Sequence, residues 1–561
     1  MMDATKYAPG YYPVPAGYDS WVKKDHIEKA PTWCSVDLRD GNQALIVPMS
    51  LEEKLEFFQM LVKIGFKEIE VGFPAASETE YEFLRTLIEK NMIPDDVTVQ
   101  VLTQCRDHII RRTFEAVKGA PRAVIHFYNS TSVAQREQVF HKSKEEIKQI
   151  AVDGAKLVKQ LSEEYEGNFL FEYSPESFTG TEVDYAVEVC NAVLDIMQPT
   201  PDRPMIINLP VTVEMSMPHV YANQIEYCDK HLKYRDSVII STHPHNDRGT
   251  GVACAELAVL AGAQRVECCL FGNGERTGNV DMVTLALNLY TQGVDPKLDF
   301  SDINKIRDVY ERVTKMKIGE RQPYVGELVF TAFSGSHQDA INKGTRYMEE
   351  SGTEYWEVPY LPIDPADVGR QYEPIIRINS QSGKGGSAFV MQHSFGFDLP
   401  KAMHPEFGHI VQVETDRVGK ELKPNAIYDL FKAHYIDAVK PYQLVQHSFA
   451  EFTDEEGHSH VTFAGTIRHT DTVFQVQGSG NGPIDAFFNA IHGQKMDRFT
   501  FIDYKEHAVK QGSDSQAVAY IHLQDENGRD WFGVGMSHNI NLAPLKGILS
   551  AINRAVSHDG K

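Results

Sequence analysis

Short apolar runs alternate with amphipathic segments along the first half of this chain of 561 residues. The amphipathic segments have the period of about 3.6 residues that is typical of helices. Strands that alternate with helices predict a parallel sheet with right-handed crossovers. Eight strand-like runs begin at Thr32, Lys67, Val97, Ala123, Asn168, Met205, Ser237 and Arg265.

Eight strand–helix units over roughly 250 residues predict an α/β fold with a (β/α)8 TIM barrel. The alternative is a doubly wound open sheet, which would need a nucleotide-binding turn after its first strand. The sequence DLRDGNQ that follows the first run lacks the GxGxxG pattern. The first intervening segment predicts a helix with a capping box at Ser50 and Glu53 and a C-cap at Gly65.

The sequence divides into four predicted parts. Residues 1–30 are rich in Tyr, Pro and Gly and predict an extended arm, whereas residues 31–298 predict the barrel. Residues 299–424 predict a mostly helical connecting region. Residues 425–561 predict an α+β domain in which a strand, a Gly/Asn turn and a helix occur twice, starting at Thr472 and Asp530. Such a duplication indicates a regulatory or dimerising module, although plain structural packing is an alternative.

The charge balance excludes several classes of partner. Lys and Arg number 55 and Asp and Glu number 78, which gives a net charge of −23. An acidic surface repels phosphate backbones and anionic lipids, so we expect neither nucleic-acid nor membrane binding. The N-terminus lacks the features of a secretory signal. The seven cysteines form no CxxC pair, so a cytoplasmic location with reduced thiols is expected.

Residues able to bind a metal collect at the predicted carboxyl ends of strands, where barrel active sites lie. His243 and His245 are two residues apart on an extended segment, so their side chains point the same way. Two imidazoles and a carboxylate suit a divalent transition metal. Asp40 is the natural third ligand, and Asn279 could be a fourth. The alternative is a chance HxH pattern in the core.

Arg39 lies beside the predicted carboxylate ligand. A guanidinium there can bind a substrate carboxylate or a developing enolate, or it can form an ion pair inside the barrel. The glycine-rich sequence GNGERTG from Gly272 can contact coenzyme A phosphates or form a tight turn. A metal beside an arginine indicates a 2-oxoacid substrate and a reaction that forms or breaks a carbon–carbon bond.

Five motifs, in order along the chain, resemble the 2-isopropylmalate synthase family in its long form with a C-terminal leucine-regulatory domain. They are DLRDGNQAL (37–45), FEYSPESFTGTE (171–182), STHPHNDRGTGVA (241–253), LFGNGERTGN (270–279) and FSGSHQDAINKG (333–344). The resemblance implies an acyltransferase that condenses acetyl-CoA with 3-methyl-2-oxobutanoate and hydrolyses the thioester, in leucine biosynthesis. Citramalate and homocitrate synthases are the related alternatives.

The resemblance also implies roles for single residues. Asp40, His243, His245 and Asn279 match the ligands of a divalent ion, which could be Mg, Mn or Zn. Arg39 and Thr212 match substrate-contacting positions, and Glu176 matches an active-site glutamate. His337 and Tyr360 match catalytic residues that the family is thought to supply to the neighbouring subunit, which implies a homodimer. We expect His337 to act as the base or in its relay, with support from Glu176.

The C-terminal domain resembles the family's leucine-binding region, so leucine is expected to act as a feedback inhibitor. The matching effector positions are Ile484, Tyr504, Ala508 and Ala517. Asp485 and Ser515 depart from the pattern, because small apolar residues are usual there.

Two other functional classes compete with a synthase. A metal-dependent acyl-CoA lyase of this superfamily would typically place a cysteine in the loop after the eighth strand, and GNGERTGN contains none. A non-enzymatic amino-acid sensor would not need the set of residues at the barrel mouth.

Overall fold

A computed structural model describes residues 2–332, 334–372, 386–418, 422–453, 459–492, 496, 498–509 and 515–559. The chain forms two compact units. The first contains the residues up to 330 together with 362–372, and the second contains 331–361 and the described residues from 386 onward. The division of the sequence into four parts stays a prediction.

The first unit contains the predicted barrel. Eight parallel strands pair in sequence order, and the last pairs with the first, which closes the sheet. All eight predicted strands are present. Their bounds are β1 Thr32–Ser35, β2 Glu68–Gly72, β3 Thr98–Gln104, β4 Ala123–Ser130, β5 Phe169–Glu176, β6 Met205–Val211, β7 Val238–Pro244 and β8 Arg265–Cys268.

Helices follow the strands around the barrel. The first begins as predicted, because the Ser50 hydroxyl accepts from the Glu53 amide while the Glu53 carboxylate accepts from the Ser50 amide. It ends at Gly65, whose φ of 116° suits a residue without a side chain. The helices are α1 Leu51–Ile64, α2 Glu78–Glu89, α3 Asp107–Val117, α4 Lys144–Glu164, α5 Val183–Met197, α6 Pro218–His231, α7 Gly251–Leu260 and α8 Met282–Tyr290.

The N-terminal arm packs on α6. The Trp21 indole donates to the Asn223 side chain at 2.8 Å, and Tyr18 lies edge-on to Tyr227. Beyond the barrel, helix α9 (Ile303–Thr314) packs on α1 through Tyr310 and Phe57. The arm, which precedes β1, and α9, which follows α8, therefore both pack on the outer helices of the barrel.

The second unit begins with helices and ends with two sheets. The helices are α10 Gly335–Ser351, α11 Gly386–Phe395, α12 His404–Val418 and α13 Pro424–Phe431. The antiparallel sheets have the orders β11-β10-β9 and β12-β13-β14. Their strands are β9 Tyr442–Thr453, β10 Ser459–His469, β11 Thr472–Gly480, β12 Phe499–Ala508, β13 Ala517–Asp525 and β14 Asp530–Ser537. Helices α14 (Pro483–Ile491) and α15 (Leu542–Asp559) follow β11 and β14, which confirms the predicted repeat.

Two apolar cores hold the second unit together. One lies where α14 and α15 pack on the sheets, and it contains Phe463, Phe487 and Ile548. The other joins α11, α12 and α13 to side chains of β13 and β14, among them Val518 and Phe532. The outer face of the second sheet is therefore covered by the connecting helices.

No helix in the described part of the chain is long and apolar enough to cross a membrane. All seven cysteines are free thiols, and six of them are buried. Most of the cysteines therefore fill space in the core.

Candidate active site

A π-helical turn, Asp37–Gly41, follows β1 directly. The amides of Arg39, Asp40 and Gly41 all approach the Val36 carbonyl, at 3.2, 2.8 and 3.1 Å. This tight turn at the carboxyl end of the strand leaves Asp40 almost fully buried and directs its carboxylate toward β7.

His243 and His245 lie at the carboxyl end of β7 and both approach Asp40. The Asp40 Oδ2 atom is 3.5 Å from His243 Nε2 and 3.8 Å from His245 Nε2. The three side chains are buried, and each offers a ligand atom within 4.8 Å of the others. The HxH spacing therefore brings two imidazoles to one carboxylate, as predicted.

Asn279 completes this cluster. Its side-chain oxygen lies 2.9 Å from His243 Nε2, and its side-chain nitrogen donates to Asp40 Oδ2 at 2.7 Å. Backbone bridging between His245 and Asn279 holds the strand-8 loop against the end of β7. All four predicted ligands thus lie together.

The charges in the cluster depend on one another. Burial opposes ionisation of Asp40, but the charge of Arg39 and the hydrogen bond with His243 hold the pKa of Asp40 well below its usual range. Burial also opposes the charged form of His243, yet Asp40 and Glu267 raise its pKa to about 10. Burial and the charge of His243 lower the pKa of His245 to about 4. These pKa shifts favour an ionised Asp40 and a neutral His245, the forms in which both side chains can bind a metal.

Arg39 contacts two carboxylates. Its Nη1 atom donates to Asp40 at 2.7 Å and its Nε atom to Glu70 at 2.8 Å. The ion pair inside the barrel that the sequence left open is therefore present, and Glu70 is its buried partner. Because Arg39 also lines the cavity described next, its guanidinium can contact an anion there.

A cavity of about 270 Å³ opens beside the cluster at the barrel mouth. The Glu176 carboxylate accepts a hydrogen bond from Ser130, and the Thr212 hydroxyl accepts from the Ser177 amide at 2.9 Å. Six of the predicted site residues line it: Arg39, Asp40, Glu176, Thr212, His243 and His245. The other lining residues are Gln43, Phe73, Leu102, His126, Tyr128, Ser174, Asn208, Pro210, Glu275 and Arg276.

Several cavity residues were not selected from the sequence. His126, Ser174 and Asn208 lie on the inner face of β4, β5 and β6, and the Ser174 hydroxyl contacts both of the others at 2.7 and 3.0 Å. The missed signal is the two-residue period of strands. Counting back by two from Glu176 and by four from Thr212 gives Ser174 and Asn208.

Below the cavity, the barrel contains a layer of buried charges. Glu267 Oε2 lies 2.7 Å from His243 Nδ1, and its other oxygen accepts from Gln100 at 2.7 Å and from Arg265 at 3.1 Å. Glu267 therefore fixes the ring of a predicted metal ligand, an arrangement typical of metal sites.

A second group of potential ligands, His126, Glu172 and Glu267, lies in the same layer. Arg265 is fully buried there, with Nη1 at 3.3 Å from Glu172. Burial and the neighbouring Glu267 charge raise the pKa of Glu172 well above its usual range. Because a guanidinium already supplies the positive charge, we interpret this group as a charge-balanced core.

Comparison with known proteins agrees with this geometry. A family model described as HMGL-like matches residues 30–310, one for an alpha-isopropylmalate synthase post-catalytic domain-like region matches 327–392, and one for a LeuA allosteric (dimerisation) domain matches 421–556. The 2-isopropylmalate synthase of Helicobacter hepaticus is 56% identical over 561 residues, covering 99% of this chain and 100% of the relative. The chain belongs to the 2-isopropylmalate synthase family.

Other 2-isopropylmalate synthases are similar to the same extent. The protein of Desulfitobacterium hafniense is 56% identical over 557 residues, covering 99% of each chain. That of Clostridium acetobutylicum is 56% identical over 541 residues, covering 95% of this chain and 96% of the relative. The family resemblance seen in the five motifs is confirmed.

His337 and Tyr360, the two other predicted catalytic residues, belong to the second unit. Both are exposed, and their rings stack with centroids 4.1 Å apart. Tyr360 has a φ of 65°, an uncommon backbone conformation that is often found at functional sites. The structure brings these two residues together, and their catalytic roles stay predictions.

The predicted effector positions also lie in the second unit. Ala508 and Ala517 are cross-strand partners on β12 and β13, and Tyr504 lies on β12, half-exposed. Ile484, on α14, packs against the core. Residues 510–514, which lie between Ala508 and Ala517 in the sequence, are outside the described residues.

The departure at Asp485 has a local structural role. Its carboxylate accepts from the Asn481 amide at 2.9 Å and from the Asn489 side chain at 3.2 Å. Asp485 therefore stabilises the turn between β11 and α14. The structure gives no comparable account of Ser515.

Proposed function

We propose that this chain condenses acetyl-CoA with 3-methyl-2-oxobutanoate and hydrolyses the thioester, giving 2-isopropylmalate and CoA in leucine biosynthesis. Membership of the family supports the reaction. The observation that carries it in the structure is the convergence of Asp40, His243 and His245 beside a cavity that Arg39 also lines.

The donor set fits a divalent metal ion. One carboxylate, two imidazoles and the Asn279 carbonyl oxygen are ligands that Mn or Zn accepts, and Mg is the third candidate. The pKa of Asp40 is held low, so that carboxylate is ionised and available. When bound, such an ion would polarise the keto group of the substrate.

The protein residues have distinct proposed tasks. Arg39 binds the substrate carboxylate, and Thr212 contacts the substrate at the cavity wall. A base, for which His337 supported by Glu176 is our candidate, removes a proton from the acetyl methyl group. The carbanion then attacks the keto carbon, whose oxygen takes up a proton. Water attacks the thioester carbonyl, and the carbon–sulfur bond breaks to release CoA as a thiol.

A thiol assay tests the reaction. CoA release is measured with acetyl-CoA and pyruvate, 2-oxobutanoate, 3-methyl-2-oxobutanoate or 2-oxoglutarate. We expect the highest kcat/KM with 3-methyl-2-oxobutanoate. A preference for pyruvate or 2-oxoglutarate would favour a citramalate or homocitrate synthase instead.

A matched pair of variants tests the metal site. His245→Gln should abolish thiol release and metal binding, because it removes a ligand. His231→Gln, in which an exposed histidine on α6 is replaced, should leave both unchanged. Equal activities in the two variants would contradict the proposed site.

Leucine feedback, a homodimer and a cytoplasmic location complete the proposal. The match to a LeuA allosteric (dimerisation) domain supports the first two. Leucine should lower the rate of CoA release in the wild type, and Tyr504→Ala should reduce this inhibition without changing the uninhibited rate. Sedimentation should give twice the mass of one chain.

A further inference from the structure

Lys54, on α1, is the buried cation behind the turn that carries Arg39 and Asp40. Its side chain has no exposed surface. Its Nζ atom donates to the Leu38 carbonyl at 3.2 Å, and Leu38 belongs to the π-helical turn Asp37–Gly41. A barrel-surface helix thus donates a charged hydrogen bond to the backbone carbonyl immediately before Arg39.

Glu80, in the first turn of α2, is the counter-ion. Its Oε1 atom accepts from Lys54, and its Oε2 atom accepts from the Phe73 amide at 3.3 Å. Phe73 follows β2 and lines the cavity. The pair therefore joins the peptide segments that follow the first two strands, one bearing Arg39 and Asp40 and the other forming the cavity wall.

Gly72 permits this arrangement. A Cβ atom at this position would lie 2.1 Å from Glu80 Oε2, closer than atoms can approach. A residue with a side chain at position 72 would push the end of Glu80 away from its contact with the Phe73 amide. Gly72 therefore allows the Lys54–Glu80 ion pair to lie against the backbone at the barrel mouth.

An ion pair between helices could have a different purpose, which is to pack α1 on α2. An apolar pair would do this without the cost of burying two charges. What an apolar pair cannot do is donate to the Leu38 carbonyl or accept from the Phe73 amide. Both of those contacts are with the backbone of the site loops.

We propose that Lys54, held by Glu80, is a positioning residue that fixes the Asp37–Gly41 turn and so sets the places of Arg39 and Asp40. This inference rests on the proposed function, since it assigns Asp40 to a metal. Lys54 touches neither the cavity nor the predicted ligands, and it acts through the backbone.

The test is a calorimetric titration of the full-length, metal-free protein with Mn²⁺, which gives the Kd. Lys54→Met should raise the Kd for Mn²⁺ at least tenfold, because partners that orient ligands typically change affinity by 10- to 100-fold. Glu80→Gln should raise it in the same direction. In the reloaded enzyme, the KM for the 2-oxoacid should rise as Arg39 moves.

Two control variants separate positioning from stability. Glu56 lies on α1 like Lys54 and forms an exposed ion pair with Arg312 of α9. Glu56→Gln removes that pair and should leave the Kd unchanged. Phe114→Leu shortens a fully buried side chain of α3, so it weakens the packing of that helix and lowers the Tm without touching the turn. If Lys54→Met does not fold, the Kd of Glu80→Gln is measured in its place.

The outcomes are distinct. A raised Kd in the Lys54 or Glu80 variant, with a normal Kd in Phe114→Leu, supports positioning. An unchanged Kd in folded Lys54→Met and Glu80→Gln, or an equal rise in Phe114→Leu, overturns it while the proposed function stands. A wild type that binds none of Mn²⁺, Zn²⁺ and Mg²⁺ overturns both.

Discussion

Glu267→Gln is the sharpest perturbation of the predicted metal centre that leaves every ligand in place. The Glu267 carboxylate is fully buried and is within hydrogen-bond distance of four groups: His243 Nδ1 and Gln100 at 2.7 Å, and Asn208 and Arg265 at 3.1 Å. Because Glu267 accepts from His243 Nδ1, the other ring nitrogen, Nε2, faces Asp40 and is the atom that would bind the metal.

A glutamine cannot make the same four contacts. In one orientation its amide nitrogen would face two donors, Gln100 and Arg265. In the other orientation it would donate to His243 Nδ1 and shift the ring proton to Nε2. Either result weakens the ligand. Loss of a metal ligand's supporting contact typically lowers affinity by 10- to 100-fold, or about 1.4 to 2.7 kcal/mol.

The assay is a Zn²⁺ or Mn²⁺ titration of the metal-free enzyme beside its Tm. Glu68→Gln is the control, because Glu68 also pairs with Arg265, at 2.6 Å, but does not contact His243. We expect weaker metal binding in Glu267→Gln alone. An unchanged affinity in a folded Glu267→Gln protein, or the same loss in Glu68→Gln, would refute the assignment of Glu267 as the support of His243.

Three further predictions concern local geometry and the metal. Ser50→Ala removes the hydroxyl that accepts from the Glu53 amide in the capping box and should lower the free energy of unfolding by about 1 kcal/mol in denaturant titration; no change would contradict the importance of this cap. Gly278→Ala places a Cβ atom 1.9 Å from the Gly272 carbonyl oxygen at a φ of 95°, so both the Tm and the metal affinity should fall. An excess of chelator should abolish thiol release, and metal at about 100 times its Kd should restore about 2.7 kcal/mol of stability. A melting curve insensitive to chelator would argue against a resident ion.

The sequence predicted the barrel and its metal cluster for reasons that can be stated. Strand and helix periods are local properties, and the rule that sites lie at the carboxyl ends of strands converts sequence position into spatial position. This is why Asp40 and His243, about two hundred residues apart, could be placed together. The same rule placed Arg39 at the barrel mouth, and the family resemblance selected Glu176 and Thr212.

What could not be predicted depends on side chains that meet across the barrel. Lys54 belongs to an amphipathic helix, where a lysine ordinarily faces solvent, and nothing local shows that Glu80 lies opposite. Glu267, His126 and Arg265 look like polar residues in a strand, and their pairing depends on the register of the closed sheet. Recognising them from sequence would require knowing which strand residues face inward.

The helices α11 to α13 have a consequence for dividing the protein. Val518 and Phe532, on the second sheet, owe their burial to these helices. A fragment that starts at residue 425 would retain both βββα repeats and nearly all of α13, but it would lose α11 and α12. Part of the apolar sheet face would then be exposed to water, and the fragment should aggregate. Severing the chain in front of α11 instead keeps that face covered, so a portable form of the region that matches the LeuA allosteric (dimerisation) domain includes the helices α11 and α12 that precede it.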